Sequence, residues 1–565
     1  MSQQPLIECV PNFSEGRDPA IIRQITDAIQ SVEGVKLLDV DPGRDTNRTV
    51  VTFVGAPDPV CEAAFRGAKA ASELIDMGLH KGEHPRMGAL DVCPLIPIAG
   101  ISMEETAELA RKLAKRIGEE LGSPVYLYEY SATSEERRNL ANIRAGEYEG
   151  LADKLKDPHW RPDFGPATFN PKTGATVVGA RDFLVAYNVN LNTTSVRRAN
   201  SVAFDVRERG RIKRTGDPIS GDIVRDPHGE PVYEPGTLQS VKAIGWYIEE
   251  FGIAQISMNL TNIHVTPVHV AFDEVVEKAA ARGIRVTGSE LVGLIPLEAM
   301  LEAGRHYLRK QRRAWGVSDR ELIHIAMRSL GLNDIKPFKP EEKIIEYAIA
   351  DKAQRKLVDR TVEDFIAETA SESAAPGGGS VAATVGALGA ALATMVANLS
   401  SHKRGWDDRW EEFSEWAEKG KFYWTQLTKL IDEDTDAFNS LMAAFGLAKA
   451  TDEEKASRKA AIQGATKRAI EVPLQVMRVS LDSMRVIKAM AEIGNPNSVS
   501  DAGVGALCAR SAVMGAHLNV KINSSSLEDK AFADSTLAEA ASIAEKSQAL
   551  ERDILAIVDK KLAEG

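Results

Sequence analysis

Cysteine is scarce in this chain of 565 residues: four thiols, Cys9, Cys61, Cys93 and Cys508, with no CxxC pair and no regular spacing. That argues against a disulfide framework, which a chain this long does not need for stability. The expected setting is a reducing cytoplasm. An excess of positive charge is also missing. With 69 Lys and Arg against 81 Asp and Glu, the formal net charge is -12. Clustered cations drive non-specific attachment to nucleic acid and to anionic lipid, so neither partner is expected. A small-molecule partner is. The opening "MSQQPLIECV" lacks a basic stretch leading into an apolar run, so no signal peptide is expected. One long run lacks charge altogether, "SVAATVGALGAALATMVANLS" over 380–400. By length it would span a membrane; its small residues favour a closely packed core helix instead.

What is present is an ordinary globular composition, 44% hydrophobic and 27% charged. Single cores stop growing near ~250–300 residues, so two or three domains are expected. Through Pro97 the apolar runs "LIECVPNF", "VKLLDVD", "NRTVVTFVG" and "ALDVCPLIPIAG" alternate with helical patterns in the order β-α-β-β-α-β. From "DFLVAYNVNL" near residue 181 the same order returns. Two passes of one order predict a duplicated split β-α-β unit of the ferredoxin-like kind, α+β in class. From about residue 361 strand signals stop, and helical patterns follow at 361–371, 380–400, 407–445, 452–470, 473–492, 501–517 and 527–562. An all-α bundle is expected. The expected domains are therefore 1–180, 181–326 and 356–565, with Pro337 and Pro340 in a linker over 327–355.

Several stretches carry candidate chemistry. "HKGEHPRMG", 80–88, sets His80 and His84 four apart, but Gly82 and Pro85 argue against a continuous helix for a shared metal, and no third ligand is apparent. The alternatives are a histidine held on a loop for proton transfer, with Glu83 and Arg86 close by, or a plain surface histidine. "CVPNFSEGR" (9–17) and "DVDPGRDTNRT" (39–49) end strands in polar residues that suit either binding or turns. "DFGPATFNPKTGATVVGARDF" (163–183) reads as a hinge or a cleft lining. "SAAPGGGSVAA" (373–383) puts Gly377, Gly378 and Gly379 before a helix, where free N–H groups can meet an anion or a carbonyl. "LIDEDTDAF" (430–438) places Asp432 and Asp436 on one helix face and Asp434 on another. "RHYLRKQRRAWG" (305–316) is a cluster of Arg305, Arg309, Lys310, Arg312 and Arg313, either a solvated face or an anchor for a polyanion.

Together these segments resemble the bifunctional formimidoyltransferase-cyclodeaminases over essentially the whole chain. "CVPNFSEGR", "LLDVD", "LIDM", "HKGEHPRMGALDVCP", "IRAGEYE" and "DFGP" are similar to the transferase part, and "SAAPGGGSVAA", "DEDTDAF" and "SDAGVGALCARSAVMGAHLNVKIN" to the cyclodeaminase part. The resemblance implies that N-formimidoyl-L-glutamate gives its formimidoyl carbon to N5 of tetrahydrofolate, and that N10 then closes on that carbon with loss of ammonia, giving 5,10-methenyltetrahydrofolate. It implies His84 as the transferase base, Asp41 as a residue that orients His84 or holds the cationic formimidoyl group, and Asp434 as the cyclodeaminase base. Folate contacts are implied at Gly165, Pro166, Ala167, Thr168, Phe169 and Gly174, at Gly236 and Gly245, and at Gly377–Gly379. Here the chain departs from animal members, reading "GTLQSVKAIG" where basic residues are frequent and carrying an insert over 214–235. No metal is expected. Polyglutamylated folate is the expected substrate form, a homo-oligomer, an octamer by the resemblance, the expected assembly, and residues 1–326 the expected free-standing transferase. The competing expectations are a formyltransferase fused to a methenyltetrahydrofolate cyclohydrolase, and a non-catalytic folate-binding scaffold.

Overall fold

The computed structural model describes residues 5–216, 221–349, 356–373 and 375–564. By compactness the chain forms two units, Met1–Ala303 with Ala326–Ala350, and Gly304–Ile325 with Asp351–Gly565. The first is α/β and the second helical.

The first unit opens with β1 (Leu6–Cys9), β2 (Asn12–Phe13), α1 (Pro19–Gln30), β3 (Val35–Gly43), β4 (Arg48–Gly55), α2 (Pro57–Leu74), β5 (Leu90–Ala99), α3 (Met103–Glu120) and β6 (Val125–Glu129). Short helices α4 (Glu135–Arg138), α5 (Leu140–Arg144) and α6 (Glu147–Lys154) lead to β7 (Thr176–Ala180). Helix starts follow local chemistry: Asp18 accepts from Ala20 N–H ahead of Pro19, and Ser102 with Glu105 closes a capping box on α3. Strand β4 pairs with β3 and β1, and β1 with β5, all antiparallel; β7 and β6 extend the sheet in parallel from β5. Period-two alternation sorts the residues. Ile7, Cys9, Val51 and Phe53 enter the core formed with α1, α2 and α3; Glu8, Asp41, Arg48 and Thr52 fall on the opposite face, where Ile143 of α5 and Leu151 of α6 pack against Val92, Tyr126, Tyr128 and Val177.

The second sheet contains β8 (Val185–Leu191), α7 (Val196–Val206), a small ribbon of β9 (Arg211–Ile212) and β10 (Tyr233–Glu234), then β11 (Val241–Ile248), β12 (Ile253–Leu260), α8 (Val268–Ala280) and β13 (Val286–Val292). Its order is β11-β12-β8-β13, antiparallel throughout. Of the insert expected over 214–235, residues 217–220 lie outside the described residues.

Two features depart from the reading of the sequence. Residues 163–183 are not only a hinge: "TVVGA" is the fully buried β7 between β5 and β6. A short apolar run buried on both faces carries no alternation, and the surrounding Gly and Pro hid it. The segment 327–355 is not a free linker either. After α9 (Leu297–Lys310) and α10 (Asp319–Leu330), helices α11 (Pro340–Lys343) and α12 (Ile345–Ile349) pack into the first unit: Phe338, Ile344 and Ile345 are buried, and Ile344 bridges Ile295. Residues 350–355 lie outside the described residues.

The helical unit has α13 (Val362–Thr369), α14 (Gly378–Ser401), α15 (Trp410–Phe445), α16 (Asp452–Ile493), α17 (Val499–Ser524) and α18 (Lys530–Glu564). The charge-free α14 is packed by small residues; a Cβ at Gly386 would lie 2.7 Å from Ser480 Oγ, and one at Gly389 2.8 Å from the Gly505 carbonyl. The helices expected at 452–470 and 473–492 are one helix with Pro473 inside it. Proline has no N–H for the carbonyl four residues back and ordinarily breaks a helix. Here Asn523 Nδ2 on α17 donates to that carbonyl, Ala469 O, at 2.8 Å. Asn523→Leu should therefore cost about 1–3 kcal/mol in denaturant unfolding of this unit. Adding Pro473→Ala, which restores the missing N–H, should recover most of it. An unchanged midpoint in the single variant would mean that solvent already satisfies the carbonyl.

Candidate active sites

The loops quoted above converge at one end of the first sheet. Asn47, at a left-handed φ of 49°, accepts Gly16 N–H and donates to Lys81 O, both at 3.0 Å, and its own carbonyl lies 2.8 Å from His80 Nε2. Ser14 Oγ donates to Gly88 O at 2.8 Å. Arg86 is clamped by Glu149 at 2.6 Å and Glu147 at 3.3 Å, and its Nε donates to His80 Nδ1 at 3.3 Å. Both nitrogens of His80 are thus committed to the protein. His80 and Arg86 fasten the loop; they do not face outward as ligands.

His84 is half-buried, with Nδ1 2.7 Å from the carbonyl oxygen of Pro85. A carbonyl only accepts, so Nδ1 carries the proton and Nε2 keeps its lone pair. Burial, then the guanidinium charges of Arg48 and Arg144, bring its pKa down to about 3. The ring is neutral at neutral pH and basic at Nε2. Asp41 stands in β3 with its backbone paired to Val50, and its charge reaches Arg48. The bond at Nδ1 comes from Pro85, so the orienting role expected of Asp41 falls to a backbone carbonyl.

Three neighbours escaped sequence reasoning. Asp91 accepts Met87 N–H at 2.8 Å with one oxygen and Arg144 Nη2 at 2.6 Å with the other. Arg48 points to the face opposite α1, α2 and α3. The signal for Arg48 was the alternation of "RTVVTFVG", which puts it opposite Thr49, Val51 and Phe53; Arg144, at the end of five-residue α5, had no periodic signal.

Residues 165–174 run up to the same loop: Ala89 N–H donates to Thr173 O at 2.9 Å, and Gly174 bridges Gly88. Gly165 and Gly174 both have left-handed φ, +79° and +64°. Pro166, Ala167 and Thr168 are exposed, and Phe169 packs 5.4 Å from the Tyr148 ring. Through Thr173 and Gly174 this segment joins the loop that carries His84. Gly236 and Gly245 answer to packing within the second sheet instead: a Cβ on either would overlap the backbone of Arg207 or of Asn200, and Asn200 brackets Gly245 with two hydrogen bonds of 3.0 Å.

In the helical unit, Asp432 and Asp436 line a cavity of about 500 Å³ with Lys356, Arg360 and Asn439, and Asp432 accepts Leu357 N–H at 2.8 Å. Asp434 points instead to the start of α14, where Ser380 Oγ donates to it at 3.0 Å and the Ser380 N–H also reaches it. Burial raises its pKa above the ordinary aspartate value, and the Ser380 bonds oppose that rise. The three glycines divide. A Cβ at Gly379 would overlap the Asp434 carboxylate, whereas Gly377 has open space and Gly378 only Asn519 at 3.4 Å. Part of the helix start is thus met by the protein's own Asp434, and the rest of the loop is open; Ala374 of this stretch lies outside the described residues. The 305–316 cluster is partly engaged: Arg309 lies 4.7 Å over the Trp315 ring and Arg305 is 3.7 Å from Glu418. Among the described residues no group of three or more His, Cys, Asp or Glu is placed to hold a metal.

Residues 6–181 match the family described as formiminotransferase domain, N-terminal subdomain, residues 186–350 the formiminotransferase domain, and residues 361–542 the formiminotransferase-cyclodeaminase family. The chain is similar to formimidoyltransferase-cyclodeaminase of Mus musculus, 43% identical over 537 residues and 95% of both chains. It is 44% identical to glutamate formimidoyltransferase of Thermoplasma acidophilum over 306 residues, 54% of this chain and 92% of the relative. It is 40% identical to methenyltetrahydrofolate cyclohydrolase of Methylorubrum extorquens over 204 residues, 36% of this chain and 98% of the relative.

Proposed function

The chain belongs to the formimidoyltransferase-cyclodeaminase family, and from that premise we propose how its two sites divide the work. The protein transfers the formimidoyl group of N-formimidoyl-L-glutamate to N5 of tetrahydrofolate and cyclises the product to 5,10-methenyltetrahydrofolate with release of ammonia. We place the transfer in residues up to 350, as a duplicated β-α-β-β-α-β unit, and the cyclisation in residues 356–564. The observation that carries the transferase assignment is the Nδ1–Pro85 bond, which leaves Nε2 of a neutral His84 as the basic atom. As N5 attacks the formimidoyl carbon, Nε2 takes the N5 proton; as the bond from that carbon to the glutamate nitrogen breaks, the same proton goes to the departing amine. Residues 165–174, beside this loop, suit the folate. In the second site Asp434 takes the N10 proton while N10 bonds to the formimidoyl carbon, and returns it to the nitrogen that leaves as ammonia. Its raised basicity, maintained by burial beside Gly379, suits that exchange.

The test is to incubate the protein with formimidoylglutamate and tetrahydrofolate and to follow glutamate, ammonia and the near-ultraviolet absorbance of the methenyl product. All three should appear. Likeness to a methenyltetrahydrofolate cyclohydrolase favours a second reading of the helical unit; methenyl hydrolysis without ammonia release would select it. No turnover with tight folate binding would select a scaffold.

Three finer readings accompany this. We take the folate to be polyglutamylated, because a cavity of about 420 Å³ is lined by Lys449, Lys455, Arg458 and Lys459. Arg458 caps Phe445 O, and Phe445 is roughly 16 Å along α15 from Asp434 at 1.5 Å per residue, a span suited to a tail. The metabolic setting is histidine degradation in the cytoplasm, which suits four free thiols. The assembly is a homo-oligomer, the octamer of the resemblance, since α14 and α17 expose Leu388, Met395 and Leu399, and Val504, Leu507, Leu518 and Ile522, with Leu518 and Ile522 at 67% and 69%. Such a face on a soluble protein marks an interface. Leu388→Glu with Leu518→Glu should lower the mass measured by light scattering; an unchanged mass would remove this face from the assembly.

A further inference from the structure

The guanidiniums beside His84 have more donors than the protein answers. Arg48 donates to no acceptor among the described residues, and its Nε is buried without a partner. Arg144 is bound through Nη2 to Asp91, which leaves its own Nε buried and unpartnered as well. The other Asp91 oxygen accepts Met87 N–H rather than either Nε. Burial also pulls the Arg48 pKa down to about 10 against the opposing charges of Asp91 and Asp41. A buried guanidinium N–H left unpaired is costly, and two of them near one histidine, Arg48 Nε and Arg144 Nε, describe a site built for an anion that arrives.

We propose that Arg48 and Arg144 form a carboxylate clamp that holds the α-carboxylate of the formimidoylglutamate substrate beside His84. The proposal rests on the transferase reading above and names the group that fixes its substrate. Of the anionic groups on the two substrates, the α-carboxylate is separated from the reacting formimidoyl carbon by only the nitrogen and the α-carbon, so a clamp at His84 meets it first. Guanidinium forks match carboxylates geometrically as well as in charge.

The clamp has a second effect. His84 faces Arg48 from β4 and Arg144 from α5, with the Pro85 carbonyl on its own loop, while Asp41 on β3 and Asp91 on β5 act on Arg48. A carboxylate seated between the two cations cancels much of the field that keeps His84 neutral. The free enzyme thus presents a ring that cannot hold a proton, and the substrate complex one that can take it from N5 and hand it on. Glutamate departure restores the first state.

The experiment compares formimidoylglutamate with formimidoyl-4-aminobutyrate, the same molecule without the α-carboxylate. Hydrogen bonds to charged groups are each good for ~10–10²-fold, so the wild type should favour the first by about 10²–10⁴ in kcat/KM. Arg48→Met should lose about 10²-fold with formimidoylglutamate and almost nothing with the aminobutyrate derivative. Independently of turnover, L-glutamate added to the wild type should raise the apparent pKa of the His84 ring followed by NMR, and should not do so in Arg48→Met. Wild-type turnover without preference between the two substrates, or an Arg48→Met loss equal for both, overturns the clamp. The substrate comparison and the wild-type NMR titration stand even if the variant does not fold. Failure of the transferase reading is a different result: no glutamate released from formimidoylglutamate at all.

Discussion

His84→Ala is expected to lower formimidoyl transfer by about 10²–10⁴-fold, the usual contribution of a positioned acid-base group, and to leave cyclisation of supplied 5-formimidoyltetrahydrofolate unchanged. The reason is local. The ring is fastened at Nδ1 by Pro85 and offers Nε2 alone, and the helical unit has its own base. Loss of both activities in a folded variant would sink the two-site assignment. The pH profile gives a second check. Because the free-enzyme pKa is held to about 3, kcat/KM for transfer should show no histidine limb near 6.5, and an acid limb centred there would contradict the environment described. Stability follows with a definite sign. The unfolded chain binds this proton more readily than the folded one, so folding weakens as pH falls through the unfolded value of about 6.5 and on towards 3. Thermal unfolding of the wild type should therefore approach or fall below that of His84→Ala as the solution is acidified.

Asp434→Asn should do the reverse, removing ammonia release by about 10²–10⁴-fold while glutamate still forms, so that 5-formimidoyltetrahydrofolate accumulates. Asparagine keeps the shape and still accepts from Ser380 Oγ, but it cannot carry the N10 proton. Gly379→Ala belongs to the same experiment, since its Cβ would overlap the carboxylate that the aspartate presents. It should impair the cyclisation without touching the transfer. Normal ammonia release in Asp434→Asn would show that another group takes the proton.

How much of this was legible depended on the physics of each signal. Strand-helix alternation and the change to continuous helix stand in the hydrophobic periodicity, and both appear in the two units. His84 and Asp434 stand in motifs. Buried β7 has no alternation to read, and Pro473 signals a break unless one knows that Asn523, 50 positions later, answers the orphaned carbonyl. Arg48 and Arg144 are remote in sequence and meet only through the strand register and the placement of α5. Their unanswered donors exist only in three dimensions.

The order in which the chain visits its two units matters during synthesis. Gly304–Ile325 belongs with helices that are made later, whereas Ala326–Ala350, which follows it, completes the first unit. On the ribosome, at roughly 5–20 residues per second, the partners of Gly304–Ile325 at Asn398, Trp410, Glu418 and Lys421 emerge roughly 4–20 s after it does. The contact of Gly316 with Ala417 and the edge-on stacking of Trp315 with Trp410 must wait for that later chain. During the interval a sticky apolar stretch is tethered at both ends to a unit that is closing around its own last residues. Nascent chains of this protein should therefore recruit chaperones at that stretch, and slowing translation after residue 350 should increase aggregation more than slowing it before residue 304.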